Sequence, residues 1–519
     1  MRRTIPRLAP WEEMRAGFAW DIPDPFNIAT ACCDHWAEAE PERVAIVDLS
    51  DGRRVWTYGA LKDASDRLAG ALSRRGVVRG DRVAILLPQR AEVMVAHFAA
   101  MKLGAVSIPL FTLFGPEALN YRLRDSGARV VISDAEGLAK LADLDLPDLA
   151  LRIDADHWDG LLAEAPVAPV RTGPDDPAMM IYTSGTTGTP KGVLHAHRFL
   201  IGHLPCVELA LEGYPQPGDV AWTPADWAWI GGLMDLAMPA LWFGGPLVAK
   251  RFAKFDADAA WALMRDEGVT VSFLPPTALK MLRRSDPPEG LTLRAVLSGG
   301  EALGAGLLDW GVGGLGVRIN EIYGQTECNL VMASCAGTQD VVPGTLGRAV
   351  PGVEIAVMDG AGQVLGAGEV GEICTHGSPA AFLRYWNKPD ETAAKWRDGW
   401  LRTGDLGRVE GAVIAYVSRD DDVINSAGYR IGPTEIETCL TAHPAVVLCA
   451  VVGLPDAVRG EAVTAFVVAP DRAEDLEAEL IAWVRARLSP HMAPRAVRFV
   501  EALPMTATGK IQRRALRGD

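Results

Sequence analysis

With 519 residues, 49% of them hydrophobic and 23% charged, the chain is long enough for roughly two to four compact units and has the balance of an ordinary globular protein. A formal net charge of -15 excludes a general affinity for nucleic acid, whose phosphates are bound through excess Lys and Arg, so any anionic ligand must be held locally. The eight cysteines are scattered, with only Cys32 and Cys33 adjacent and no CxxC spacing, which argues against a disulfide framework or a zinc site and fits a reducing cytoplasm.

In chain order, Arg2, Arg3, Arg7 and Arg15 give the N-terminus a basic character, but Glu12 and Glu13 interrupt it and no apolar signal region follows. Strand-like runs at 82–87, 130–133, 178–182, 271–274, 294–298 and 317–323 alternate with helical stretches. This rhythm predicts α/β layers with largely parallel sheets. The apolar stretch 232–249 contains Asp235, Pro239 and a Gly244-Gly245-Pro246 break, and makes a poor bilayer span. From 344 to 417 short Gly-punctuated strands, at 369–375 and 413–417, predict a small β-barrel-like unit. The acidic cluster Asp420-Asp421-Asp422 marks a domain boundary, giving an N-terminal domain over 1–418 and an α+β C-terminal domain over 419–519, with strands at 446–452 and 462–468. Pro433 with Glu435 and Glu437 predicts a helix start.

The segment Tyr182-Thr183-Ser184-Gly185-Thr186-Thr187-Gly188-Thr189-Pro190-Lys191-Gly192 follows a predicted strand and packs three glycines, four threonines, one serine and one lysine into eleven positions. Glycines admit phosphate oxygens close to backbone NH groups, hydroxyls add donors, and lysine adds charge. A flexible polar loop is the alternative for any Gly/Thr-rich stretch. A Walker A loop is disfavoured, because Lys191 lies between Pro190 and Gly192 instead of between Gly and Ser or Thr.

Further motifs follow in order: Gly299-Gly300-Glu301, Tyr323-Gly324-Gln325-Thr326-Glu327, Thr403-Gly404-Asp405, the block 419–430, and Thr508-Gly509-Lys510. Together they resemble the adenylate-forming superfamily of acyl-CoA synthetases, adenylation domains and luciferases, over nearly the whole chain. The resemblance implies that Thr183 to Lys191 embrace the β- and γ-phosphates of ATP. It places Gly300, Glu301 and Tyr323, with the neighbouring Gly324 and Gln325, at the adenine side, Thr326 at the α-phosphate and Glu327 on Mg2+, a hard cation that takes oxygen ligands. Asp405 and Arg419 would reach the ribose, and Ser418 stands where the family commonly has Gly. Taken singly, Glu327 would be a surface carboxylate, Thr403-Gly404-Asp405 a turn, and Lys510 a solvated tail residue.

A carboxylate resists thiol attack until it is made an anhydride with AMP, a step that needs charge stabilisation at the α-phosphate. By resemblance Lys510 supplies it, and the C-terminal domain then turns about a hinge at Asp421, withdrawing Lys510 and presenting Gly428. Ala427, Gly428, Tyr429, Arg430 and Arg459 would meet coenzyme A, although for Arg459 a surface ion pair is a comparable reading. The wording of 423–433 most resembles medium-chain acyl-CoA synthetases and their acetyl-CoA synthetase relatives. The chain continues only nine residues past Lys510, which favours free coenzyme A over a carrier domain as acceptor.

Acetyl-CoA synthetases place tryptophan where Gly324 stands, so the resemblance implies an open acyl pocket bordered by Gly324 and Trp229. With about 0.8 kcal/mol per buried methylene, six extra carbons would favour binding by about 5 kcal/mol. A medium-chain or aromatic acid is therefore expected. An inward Trp227 would shorten the pocket, whereas core packing is its commoner use; Cys328-Asn329 also departs from the usual Thr-Gly. Alternatives are a short-chain ligase, an adenylating enzyme with another acceptor, and a non-catalytic adenylate-binding regulator, which would be expected to lack Lys510, Glu327 or Asp405. His195 and His197, two apart on a predicted helix, are expected to pack instead of binding metal. Cytoplasmic placement, a homo-oligomer and regulation by a lysine acetyltransferase acting on Lys510 complete the expectations.

Overall fold

The computed structural model describes residues 2–5, 7–183, 189–301, 303–339, 341–427, 429–456, 458–470, 472–506 and 510–518, apart from the side chain of Arg430. Two mixed sheets dominate the N-terminal part. One has seven strands in the order Arg384–Tyr385, Gly192–Ala196, Pro177–Tyr182, Val106–Pro109, Arg82–Leu86, Val130–Ser133 and Leu151–Asp154; the last five run parallel. The other has nine, in the order Arg348–Ala349, Cys328–Ala333, Ile319–Gln325, Ala295–Gly299, Val271–Phe273, Ala221–Trp222, Leu247–Ala249, Val44–Asp48 and Arg54–Thr57, with the middle of the sheet parallel.

Apolar burial on both faces explains the runs that read as strands. In Arg82–Leu86, Val83 and Ile85 enter one core cluster while Ala84 and Leu86 enter another, as the twofold strand period requires. The first cluster also takes Val271, Phe273, Ala295 and Leu297 from the larger sheet, so the two sheets share a core. Between them lie the helices Ala91–Lys102 and Phe199–Ala210, each buried along all twelve residues. Such helices must be apolar all round; the one cation, Lys102, is neutralised by Asp34 at 2.7 Å and Asp66 at 2.5 Å, since an unpaired buried charge is strongly destabilising.

The small β unit is antiparallel: Glu354–Met358, Gly371–His376, Trp400–Glu410 and Trp396–Arg397 pair in that order, and Val413–Arg419 adds to the eleven-residue strand Trp400–Glu410. Beyond it, Tyr429–Ile431, Ile424–Ser426, Gly460–Val468 and Leu448–Asp456 form a further sheet, with Ala496–Phe499 parallel to Gly460–Val468. Helix Pro433–Thr441 begins at the expected proline, with Glu435 in its first turn. Its Ile436 and Leu440 join Ile424, Val451, Ala465 and Leu480 in a core of its own. The basic N-terminal residues are engaged on the body: Arg3 donates to the carbonyls of Gly213 and Pro215, Arg2 lies over the Trp242 ring, and the Thr4 and Ile5 amides donate to the Glu208 carboxylate at 2.5 and 2.8 Å.

Candidate active site

Strand Pro177–Tyr182 ends at the glycine- and threonine-rich loop. Its neck is closed by the Thr183 amide donating to the Lys191 carbonyl at 3.0 Å and the Lys191 amide donating to Thr183 Oγ1 at 3.4 Å. Ser184, Gly185, Thr186, Thr187 and Gly188 lie outside the described residues. Lys191 Nζ stands 4.9 Å from the centre of the Tyr385 ring, and the Tyr385 hydroxyl donates to Glu327 Oε1 at 2.5 Å. Tyr385 thus joins the loop to Glu327; the sequence reading missed it because no motif of its own marks it. Thr326 and Glu327 are the two-residue turn between Gln325 and Cys328, which pair across the hairpin. Thr326 lines the cleft described below, whereas Glu327 is held by Tyr385.

Asp405 lies in strand Trp400–Glu410 and is nearly buried. Its Oδ2 accepts from Tyr323 Oη and Gln325 Nε2, both at 2.6 Å, and Arg419 Nε stands 3.3 Å from Oδ1. Burial raises the Asp405 carboxyl above its ordinary range, with Arg419 and the two donors opposing. Oδ1 has no hydrogen-bond donor among the described residues, so a ribose hydroxyl would satisfy it. Burial opposes the Arg419 charge, yet Asp405 and Asp421 hold the guanidinium more firmly protonated than usual. Ser418 is an interior strand residue paired with Leu406, where no glycine conformation is needed.

Gly300 has φ +94° and faces the Trp229 indole; a methyl group there would lie 3.2 Å from the ring. Only glycine brings backbone this close in this conformation. Glu301 beside it is raised by burial, against Lys280 and Lys510.

Lys510 crosses from the C-terminal domain to this site. It lines a cleft with Trp229, Gly300, Gly324, Gln325 and Thr326, of about 370 Å³ counting its solvent-open mouth. Burial in the cleft lowers the pKa of the ammonium, while Glu301 and Asp405 oppose the shift and Arg419 adds to it, although the residue as a whole is exposed. The segment is held by the Lys510 amide donating to Thr506 Oγ1 at 3.0 Å and the Thr506 amide donating to the Lys510 carbonyl at 2.7 Å.

One expectation about the acyl pocket is corrected. Gly324 lines the cleft, but its missing side chain leaves no added space: a methyl group there would overlap the Leu330 amide nitrogen and come 2.8 Å from Asn329 Cα. The glycine serves the irregular register between Tyr323 and Gln325. The rest of the wall was not read from sequence: Ile230, Asp235, Ile322, Asn329 and Leu330. Trp227 is 2% exposed in the main core and Trp229 is the tryptophan on the cleft, in line with the core-packing reading. His195 and His197 do pack, but not on a helix. His195 lies within strand Gly192–Ala196, stacked on Phe199 at 3.8 Å, and His197 Nδ1 accepts from the Ile28 amide. Among the described residues no group of three or more His, Cys, Asp or Glu is placed to hold a metal ion.

Of the residues expected to meet coenzyme A, Gly428 and the Arg430 side chain lie outside the described residues. Ala427, at φ +51°, donates its amide to the Arg459 carbonyl at 2.8 Å, which brings these two together. Arg459 also pairs with Asp456 at 4.0 Å, and exposed Tyr429 stacks on His491 at 4.4 Å. Around the expected hinge, a 3-10 turn spans Asp420–Asp422. Arg419 reaches back to Asp405, whereas Asp422 is gripped by Arg513 at 3.3 Å and Arg517 at 3.0 Å, on the segment that carries Lys510. Allegiance changes between 419 and 422, with Asp421 in the middle. Asp421→Pro, which fixes φ, is expected to slow one half-reaction and spare the other; equal rates for both in rapid-quench assays of adenylate formation and thioester formation would remove the hinge from this position.

A loop of phosphate-binding composition, a buried carboxylate with an oxygen that lacks a donor, and a lysine from the C-terminal segment beside them are what a nucleotide-dependent ligase requires. Residues 33–386 match the family model of the AMP-binding enzyme, and residues 435–510 match that of the AMP-binding enzyme C-terminal domain. The chain is 34% identical to acyl-coenzyme A synthetase ACSM4, mitochondrial, of Homo sapiens, over 96% of this chain and 91% of that one. It is 31% identical to the acetyl-coenzyme A synthetase of Bacillus subtilis (strain 168), over 98% and 93%. The anthranilate CoA ligase AuaEII, solved in complex with anthranoyl-AMP, superposes with a TM-score of 0.90 at 27% identity, covering 96% of this chain and 98% of that one. The chain belongs to the AMP-binding enzyme family, and within it is an AMP-forming acyl-CoA ligase that uses ATP and coenzyme A as substrates.

Proposed function

We propose that the protein converts a medium-chain or aromatic carboxylic acid into its acyl-adenylate and passes the acyl group to coenzyme A, with the roles of individual residues as follows. Lys510 stabilises charge at the α-phosphate beside Thr326; Asp405 and Arg419 hold the ribose; Lys191 and the loop it closes hold the outer phosphates. Glu327 is the carboxylate that would retain Mg2+, a cation usually bound by one or two carboxylates plus substrate phosphates. The observation that carries this reading is that Lys510, from the C-terminal domain, lines one cleft with Gly300, Gln325 and Thr326. Domains of 1–418 and 419–519 fit the change of partners at Asp421. A cytoplasmic location is part of the proposal; no helix among the described residues is long and apolar enough to cross a membrane. Acetylation of Lys510 by a lysine acetyltransferase would remove its charge and silence adenylation.

The acid is read from the apolar wall formed by Trp229, Ile230, Ile322 and Leu330. AMP release with ATP and Mg2+, from acetate through dodecanoate and with benzoate, is expected to be coenzyme A-dependent and to peak at middle lengths or on the aromatic acid. Turnover on acetate alone would make this a short-chain ligase, and AMP release indifferent to coenzyme A would point to another acceptor.

A further inference from the structure

The apolar wall of the cleft ends in a carboxylate. Asp235 sits in the π-helical turn Leu233–Ala237, 5% exposed, and lines the same cleft as Lys510. Asn329, 4% exposed, donates through Nδ2 to Asp235 Oδ1 and to His203 Nε2, the latter at 3.0 Å. His203, fully buried, donates from Nδ1 to the Phe199 carbonyl at 2.7 Å, which leaves Nε2 as an acceptor. Both Asn329 amide hydrogens are therefore spent. Among the described residues Asn329 is the only hydrogen-bond donor to the Asp235 carboxylate, and no cation pairs with it.

A buried carboxyl with one neutral donor is an expensive way to fill a core position, and an apolar residue of similar size would ordinarily be the more stable choice. Burial pushes the Asp235 carboxyl well above its usual range, with Asn329 and then Lys510 opposing. What the buried end of the cleft still lacks is a donor. The open end carries the ammonium of Lys510, so the cleft has a cation where the acid's carboxylate must react and an acceptor where its tail must end.

We propose that Asp235 is a specificity-determining residue that selects carboxylic acids whose tail carries a hydrogen-bond donor, an amino or a hydroxyl group, over isosteric acids ending in a methyl group. The inference rests on the ligase reading above and names the acid more narrowly. Asn329 and His203 are positioning residues, acting through the Asp235 carboxylate.

Methyl and amino groups are nearly equal in size, so kcat/KM for 2-, 3- and 4-aminobenzoate against the matching methylbenzoates isolates the donor. Hydroxybenzoates against methoxybenzoates, and 6-aminohexanoate against heptanoate, distinguish hydroxyl from amine and aromatic from aliphatic tails. At least one donor-bearing acid is expected to exceed its partner by about two- to tenfold, the net worth of a buried hydrogen bond. Asp235→Leu is expected to collapse or invert that ratio, which a purely structural role would not move. A methyl- or methoxy-bearing acid preferred by the wild-type enzyme, or a ratio unchanged in Asp235→Leu, overturns the assignment. Should that variant fail to fold, the wild-type ratio decides alone. Absence of AMP release with every acid overturns the ligase reading itself, and this inference with it.

Discussion

Replacing Lys510 by alanine is expected to slow acid-dependent adenylate formation about a hundred- to thousandfold, a loss of about 3 to 4 kcal/mol in transition-state stabilisation. The reason is geometric. Lys510 reaches the cleft from a segment after the last strand of the C-terminal domain, and no other C-terminal side chain lines that cleft among the described residues. Charge that grows on the α-phosphate as pyrophosphate leaves would then face only Arg419 and the loop. Thioester formation from pre-made acyl-AMP needs a nucleophile and a good leaving group instead, so it is expected to survive in Lys510→Ala. Equal loss of both half-reactions would mean that Lys510 holds the domains together and does not act on the phosphate.

The second large effect is expected at Asp405. Asp405→Ala removes the acceptor of Tyr323 and Gln325 and the ion-pair partner of Arg419, and with them the oxygen that the proposed function assigns to the ribose. One hydrogen bond to a charged group is worth about 1.5 to 3 kcal/mol, so KM for ATP should rise about ten- to a hundredfold while KM for the acid stays within a few-fold. Because the substitution also strands the half-buried Arg419 guanidinium, the melting temperature should be measured beside it, and Asp405→Asn should restore part of the stability and little of the ATP affinity. A rise in KM for the acid as large as that for ATP would place Asp405 at the acyl end of the site.

The parts of the site that could be read in the sequence are those where chemistry needs neighbouring residues. A loop of phosphate-binding composition, a two-residue turn bearing Thr326 and Glu327, and the Thr403-Gly404-Asp405 stretch of a strand are each built within a few positions, and the strand Pro177–Tyr182 that leads into the first is buried and apolar. Residues that meet only in the folded chain left no such trace. Tyr385 touches Glu327 from 58 positions away, and Asn329 reaches Asp235 across 94 and His203 across 126. Gly324 misled for a related reason: its side-chain direction is set by the register irregularity between Tyr323 and Gln325, which turns it towards the Leu330 backbone. His195 read as helical from its surroundings, whereas pairing with the strand Pro177–Tyr182 fixed it as a strand residue facing Phe199.

The most direct test of two half-reactions in one cleft is exchange of labelled pyrophosphate into ATP, measured with acid but without coenzyme A. The account predicts acid-dependent exchange under those conditions, and AMP release only when coenzyme A is added. Exchange that requires coenzyme A, or AMP released freely in its absence, would contradict an acyl-adenylate held for transfer to the thiol.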